Sequence, residues 1–418
     1  MADVYAAARE GDARAVRRAL VIMRSSPNYV TEGGWTPVHV AAKNGFKEVL
    51  TELLRAGADK DTGTQVGSTP LYIAAEYGQL EIMNTLIENE CELDKKKADG
   101  WSALHIAAFK NHKEILAALL KAKAYQNIYI QDGTTPLYLA AQEGNQESVK
   151  LLLDAEAQHG VRIKSDGYTP LHIAAQNGHT STIQLLLDAG ADFEAKTKDG
   201  KTCMYIAVQQ GHVSVVDLLL KVGADGNAQK QNLWSPLHIA AQQGHTEVMQ
   251  VLIDAQVLLD VQIEDGSTPL CIAVQMGHEE AIRALLHAGA SKEVVKKGKF
   301  GVWSGWTPLH IAAEQGRDVV VKILLDYNPN MAAILENGFT PLHVASEAGH
   351  TEVVTTFLEA GACMDAQGKV QSLPTILLLD TSERLANLPR RNQVSLQLLQ
   401  NRMLGGSARR LGQGAGIA

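Results

Sequence analysis

The sequence predicts an all-α solenoid assembled from stacked helix-turn-helix units, and three observations carry that expectation. A Thr/Ser-Pro-apolar-His/Tyr tetrapeptide recurs with its first residue at Thr36, Thr69, Ser102, Thr135, Thr169, Thr202, Ser235, Thr268, Thr307 and Thr340. The interval is 33 residues, broken only by one of 34 and one of 39. Each copy runs into a small-residue stretch such as Ile173-Ala174-Ala175-Gln176-Asn177-Gly178-His179. A second apolar set comes next at helical spacing, here Ile183, Leu185, Leu186 and Leu187, and ends in Asp188-Ala189-Gly190-Ala191-Asp192. A length of 418 residues would otherwise suggest two or three domains of about 100–200 residues. Self-similarity at this period indicates a repeat array instead.

Each element of the unit has a physical reason. The Thr or Ser is an N-cap whose hydroxyl satisfies an orphan backbone N–H, and Pro suits the first helical position. The Ala-Ala pair is small because another helix approaches there. Gly178 and its equivalents end the first helix, and Gly190 and its equivalents stop the second in a left-handed cap. About ten residues centred on Asp-Gly or Asn-Gly then form a projecting turn. One unit cannot bury its own apolar face, so its neighbours supply the core. An eleventh copy opens the chain without the tetrapeptide, at Ala6-Ala7-Ala8-Arg9-Glu10-Gly11-Asp12 and then Val16 and Leu20.

Composition narrows the function classes. Charged residues at 20% and hydrophobic ones at 45% are ordinary globular values, which argues against wholesale disorder. A net charge of −8 has the wrong sign for a binder that neutralises phosphates, so no nucleic-acid partner is expected. No apolar run reaches the roughly 18 residues of a membrane span, and the start Met1-Ala2-Asp3-Val4-Tyr5 does not read as a signal peptide. The four cysteines, Cys91, Cys203, Cys271 and Cys363, form no paired motif and read as free thiols in a reducing compartment. The expectation is a cytoplasmic, monomeric protein, with the nucleus as the alternative location.

The run Asp166 to His179, Asp-Gly-Tyr-Thr-Pro-Leu-His-Ile-Ala-Ala-Gln-Asn-Gly-His, resembles an ankyrin repeat. The resemblance covers roughly residues 4–369. It implies short β-hairpin fingers, first helices lining a concave face, and protein targets bound at the finger tips and along that face. The organisation expected is an N-terminal capping repeat over 1–33, ten repeats over 34–369, and a degenerate cap with a disordered, Arg-containing tail over 370–418. The tail holds six arginines and no lysine, and Leu378 and Leu379 replace its Ala-Ala pair. A foreign exon or gene-model error would account for it equally.

Departures from the pattern mark candidate sites. The long interval places six extra residues within Ser291–Gly305, with Lys292, Lys296, Lys297, Lys299 and Trp303. They form either a tolerated insertion or a basic contact loop. An array this long can divide into sub-blocks, and this finger is the expected joint. Ala103 and Cys203 in place of Pro, and Cys271 in place of His or Tyr, read as drift. Twelve of the 14 histidines recur with the scaffold, so neither metal nor catalysis is expected from them. No phosphate loop or hydrolase motif is present, and no cofactor is expected.

The residue before each Thr/Ser obeys a rule. It is Trp35, Trp101, Tyr168, Trp234, Trp306 or Phe339 where the tetrapeptide ends in His. It is Ser68, Thr134, Lys201 or Ser267 where it ends in Tyr or Cys. Duplication of a repeat pair is one reading. The other is a ladder of partner-binding rings at the base of the fingers, where the resemblance places this position. Beside them, Gln142, Gln176, Gln209, Gln210, Gln242, Gln243 and Gln275 on the first helices would supply hydrogen bonds. By resemblance, Asn227 with Leu219 and Asp225 has the spacing of the family's asparagine hydroxylation site, against a plain turn-stabilising role. The expected function is a non-catalytic scaffold or adaptor binding a protein partner whose identity the sequence does not give. The alternative is a substrate-recruiting subunit of a larger enzyme assembly such as a ubiquitin ligase.

Overall fold

Every first helix of the ten repeats begins at the residue after its Thr or Ser. In the Thr169 repeat the hydroxyl accepts from the N–H of His172 at 3.4 Å, while His172 Nδ1 accepts from the Thr169 N–H at 3.2 Å. This is a reciprocal capping box with histidine in the place usually held by Glu or Gln. Because Nδ1 faces an N–H, the ring proton sits on Nε2, which donates to Ala195 O of the next finger at 3.0 Å. The histidine therefore caps its own helix and ties down the next repeat.

The computed structural model describes residues 4–229, 233–296 and 305–363. Among them are 22 helices, forming eleven consecutive pairs. The chain divides into two units, Met1–Ala224 and Asp225–Ala418. The first holds the N-terminal pair and the repeats from Thr36 to Thr202, and the second holds the four repeats from Ser235 to Thr340. The division therefore does not fall at the lengthened finger. That finger keeps its closing hydrogen bond, from Lys296 N–H to Trp306 O at 2.9 Å, so the extra residues enlarge a loop without loosening the stack. The tail, residues 370–418, lies outside the described residues.

Within each unit, first helices pack on first helices and second helices on second helices. The Ala-Ala pairs, such as Ala107-Ala108 and Ala174-Ala175, are fully buried, as are Leu116, Leu119, Ile183 and Leu186 on the second helices. Burying each such Leu or Ile is worth about 1.5–3 kcal/mol. At the end of the first helix the backbones come closest. A Cβ on Gly178, whose φ is +76°, would lie 2.7 Å from the His212 ring, and that ring donates through Nε2 to Gln176 O at 2.8 Å. His179, His278 and His350 make the same bond to Gln142, Gln242 and Glu314.

Two expectations change. The fingers contain no strand among the described residues. Each is a turn closed by one backbone bond, as from Lys97 N–H to Trp101 O at 2.8 Å, and four residues leave no room for a ladder. The closing bond spans four residues in most fingers, five from Ile163 to Tyr168, and ten from Lys296 to Trp306. Both irregular intervals are thus absorbed inside the finger tip. Secondly, the left-handed stop after the second helix is often not glycine: Glu90, Lys123, Glu156, Gln256 and Asn328 take it with φ between 53° and 69°.

Side chains also join successive fingers across 31 residues. Asn28, Asp61, Asp94, Asn127, Asn227 and Asp260 each accept from a backbone N–H in the next finger at 2.8–3.0 Å. Glu293 makes the corresponding bond to Asn330 across 37 residues, which is 31 plus the six inserted.

Candidate functional site

The aromatic–histidine rule of the sequence is a contact. Trp35, Trp101, Tyr168, Trp234, Trp306 and Phe339 lie with ring centroids 5.6–6.0 Å from His39, His105, His172, His238, His310 and His343. Ring pairs at this separation contribute about 0.5–1.5 kcal/mol beyond their burial. The covariation thus has an intramolecular cause, apart from both duplication and partner binding. All six rings are half-buried, so each keeps part of its surface towards solvent. In the first unit some of that surface is occupied: Trp101 meets Phe109 edge-on at 5.7 Å, and the Lys43 ammonium lies 5.7 Å from the Trp35 ring.

The histidines beneath these rings are buried, and burial pushes His105, His238 and His310 down to about 4. Burial also lowers His39, His172 and His343. Neutral imidazoles at neutral pH fit their use as acceptor at Nδ1 and donor at Nε2. Among the described residues no three His, Cys, Asp or Glu side chains converge on a metal position.

Repeats of the other kind place the ring at the histidine's position. Tyr72, Tyr138 and Tyr205 are buried, and the preceding Ser68 and Thr134 are buried beside them. In the Thr202 repeat, Lys201 replaces the small residue and sets its ammonium 5.9 Å from the Tyr205 ring. Each of these repeats therefore carries one large ring, at one of two positions. The Thr268 repeat carries none, because Ser267 and Cys271 are both small. Cys271, read from the sequence as drift, is where the pattern loses its ring. Sequence inspection had the signal, two small residues at coupled positions, but the coupling is visible as volume only once the rings are seen in contact.

The remaining candidates fall at several depths. Gln142, Gln176, Gln209 and Gln242 are half-buried at the ends of their helices, while Gln210, Gln243 and Gln275 are exposed. Lys296, expected on an exposed basic loop, is instead buried, with Nζ 3.4 Å from Asp265 Oδ2 and 3.4 Å from Gln275 Oε1. Lys297, Lys299 and Trp303 lie outside the described residues. Asn227 is half-buried and its Oδ1 accepts from Leu258 N–H at 2.8 Å. Cys203 is buried and donates to Phe193 O at 3.0 Å, and burial pushes its thiol up to about 12.

In the second unit a cavity of about 420 Å³ opens between fingers and first helices. Trp234, Gln242, Gln275 and Lys296 line it, together with residues the sequence did not single out, among them Asp265, Met276 and Gln315. No described helix is long and apolar enough to cross a membrane.

Comparison with known proteins places these features. A search of curated proteins returns no match. Among solved structures, the crystal structure of the human ASB11 ankyrin repeat domain is 29% identical, with a TM-score of 0.49. The match covers 53% of this chain and 99% of that one. A family model described as ankyrin repeats, three copies, matches residues 4–97, 84–163, 155–230, 223–297 and 293–368. With the model tiling nearly every helix pair, this chain belongs to the ankyrin repeat family.

Proposed function

We propose that the chain is a non-catalytic adaptor that engages a protein partner along the face between its fingers and first helices. Ankyrin repeats are generally protein–protein interaction modules. The observation that carries the reading is the set of half-buried rings, Trp35, Trp101 and Tyr168 in the first unit and Trp234, Trp306 and Phe339 in the second. Each is held by a histidine before any partner arrives, and a pre-ordered aromatic loses little entropy on binding. Buried aromatic anchors are where interface energy concentrates, at about 2 kcal/mol or more for a hot spot. The glutamines at the helix ends supply polar contacts beside them, and Lys296, Lys297, Lys299 and Trp303 belong to the finger proposed to extend the contact. Asn227 is kept as a candidate modification site, although its side-chain oxygen already has a structural partner in Leu258.

The test pairs affinity capture with stability. Full-length protein and the variants Trp101→Ala and Trp234→Ala are used to capture partners, and their unfolding is measured alongside. Partner loss of about 30-fold in affinity, with stability lowered by only about 1 kcal/mol, supports the reading. Affinity retained in the folded fraction makes the rings packing alone. Trp101→Phe separates the two contributions, because Phe339 already shows that a phenyl ring can stack on the histidine, at 5.8 Å from His343. A recruiting subunit of an enzyme assembly would need a docking motif in residues 370–418, and no observation favours one.

A further inference from the structure

The cavity in the second unit occupies the place where other repeats keep a tyrosine. In the Thr69 repeat the Tyr72 ring is buried, and the Lys97 ammonium lies 4.7 Å from its centroid. Lys97 closes the next finger, its N–H bonded to Trp101 O at 2.8 Å. Lys296 holds the equivalent position after the Thr268 repeat, its N–H bonded to Trp306 O at 2.9 Å, and its side chain is buried as well. The ring that belongs beside it is missing, since Cys271 stands where Tyr72 would be. The residue seven places after each Thr, Glu76 in one repeat and Gln275 in the other, marks the same wall. Ser267 Oγ lines the resulting space, is almost wholly buried, and has no hydrogen-bond partner.

We propose that this cavity receives the side chain of a tyrosine supplied by the protein partner, whose phenol takes the position that Tyr72 fills from within the chain. This deepens the adaptor reading and rests on it. The chemistry of the walls fits that occupant. The Lys296 ammonium faces the ring as Lys97 faces Tyr72, a cation–π arrangement. Trp234 offers a flat aromatic wall, and the Met276 thioether a polarisable edge suited to an aromatic ring. Ser267 and Gln275 offer polar partners for the hydroxyl. An aliphatic side chain would cover Lys296, Asp265 and Ser267 without returning any interaction to them. The volume lies within the range of about 300–1,000 Å³ typical of sites for small organic groups.

The experiment uses p-cresol, the tyrosine side chain itself, with full-length protein labelled at methionine methyls and tryptophan indoles for NMR. Saturable shifts at Met276 and Trp234 are expected, with toluene binding more weakly because it lacks the hydroxyl. Cys271→Tyr places a ring in the cavity from within and is expected to abolish those shifts. Should that variant not fold, Lys296→Gln is expected to weaken p-cresol by about threefold or more. Absence of binding to the native chain, or equal binding to Cys271→Tyr or Lys296→Gln, overturns the proposal. Binding that appears only in Trp303→Ala also overturns it, because the space is then filled by the chain's own inserted finger. The outcome is separable from the adaptor reading: Trp101→Ala tests the ring-bearing face in the first unit, and its loss of partner affinity stands whether or not p-cresol binds.

Discussion

The Thr169 and Thr135 repeats share a backbone plan and differ in where they keep their ring. In the first, Tyr168 stacks on His172, and the histidine caps its helix and bonds the next finger. In the second, Tyr138 is buried at the histidine's position, and Thr135 caps alone, accepting from Tyr138 N–H at 3.2 Å. The volume is conserved while the titrating group is exchanged, an imidazole in one and a phenol in the other. Repeats of equal shape therefore respond to opposite ends of the pH scale.

The largest expected effect is acid sensitivity confined to the histidine repeats. His105, His238 and His310 titrate near 4 in the fold, against the ordinary 6.5. The unfolded chain thus binds protons first as pH falls. Their contribution is fully present above pH 6.5, declines between 6.5 and about 4, and is constant below. Each should lose about 2 kcal/mol by pH 5. His238→Gln keeps a capping side chain without the titration, and should reduce proton uptake on unfolding by one. An unchanged uptake would break the comparison. The tyrosine repeats should behave in the mirrored sense. Burial raises Tyr138 and pushes Tyr205 up to about 12 from an ordinary 10. Their contribution is present below pH 10 and is lost as pH rises from there, which phenolate absorbance during unfolding would register.

A smaller effect separates the caps. Thr169→Ala removes one half of a reciprocal box and leaves His172 Nδ1 with a single donor, whereas Thr135→Ala removes a single bond. The expected costs are about 2 and about 1 kcal/mol. Equal melting shifts for the two variants would show that the histidine adds nothing to the cap.

The smallest effect sharpens the comparison by being the same in both kinds. Glu90 ends a tyrosine repeat and Lys123 a histidine repeat, each in the left-handed region at φ of 59° and 69°. Glycine takes that conformation without strain. Glu90→Gly and Lys123→Gly should each raise stability by about 1 kcal/mol, read from chemical denaturation midpoints. A gain in only one would mean that the two kinds differ beyond the start of the first helix.

The tetrapeptide and its period made the helix pairs legible, because N-cap, proline and the small pair each answer a local requirement. Bonds between repeats were not legible. The bond from His172 to Ala195 and the tie from Asn227 to Leu258 join positions 23 and 31 residues apart, which no local pattern announces. The aromatic–histidine rule was visible as covariation, yet its cause needed the two rings in space. Lys296 looked like a surface charge because its neighbours in sequence are lysines, while its neighbours in the fold are Asp265 and Gln275. Left-handed stops at Glu90 and Lys123 could not be foreseen, since nothing in those residues asks for the conformation.

The single bond that closes each finger has a consequence for how the array can change. Both of its length irregularities sit inside that closure, one residue between Ile163 and Tyr168 and six between Lys296 and Trp306. Everything outside the closure is held to a fixed count by bonds from one repeat to the next. The array behaves like a printed form with one blank line per repeat: new residues can be written at the tip, and nowhere else, without shifting the register of the next repeat. Diversity in recognition can accumulate there by insertion as well as by substitution, and grafted loops belong at the same place.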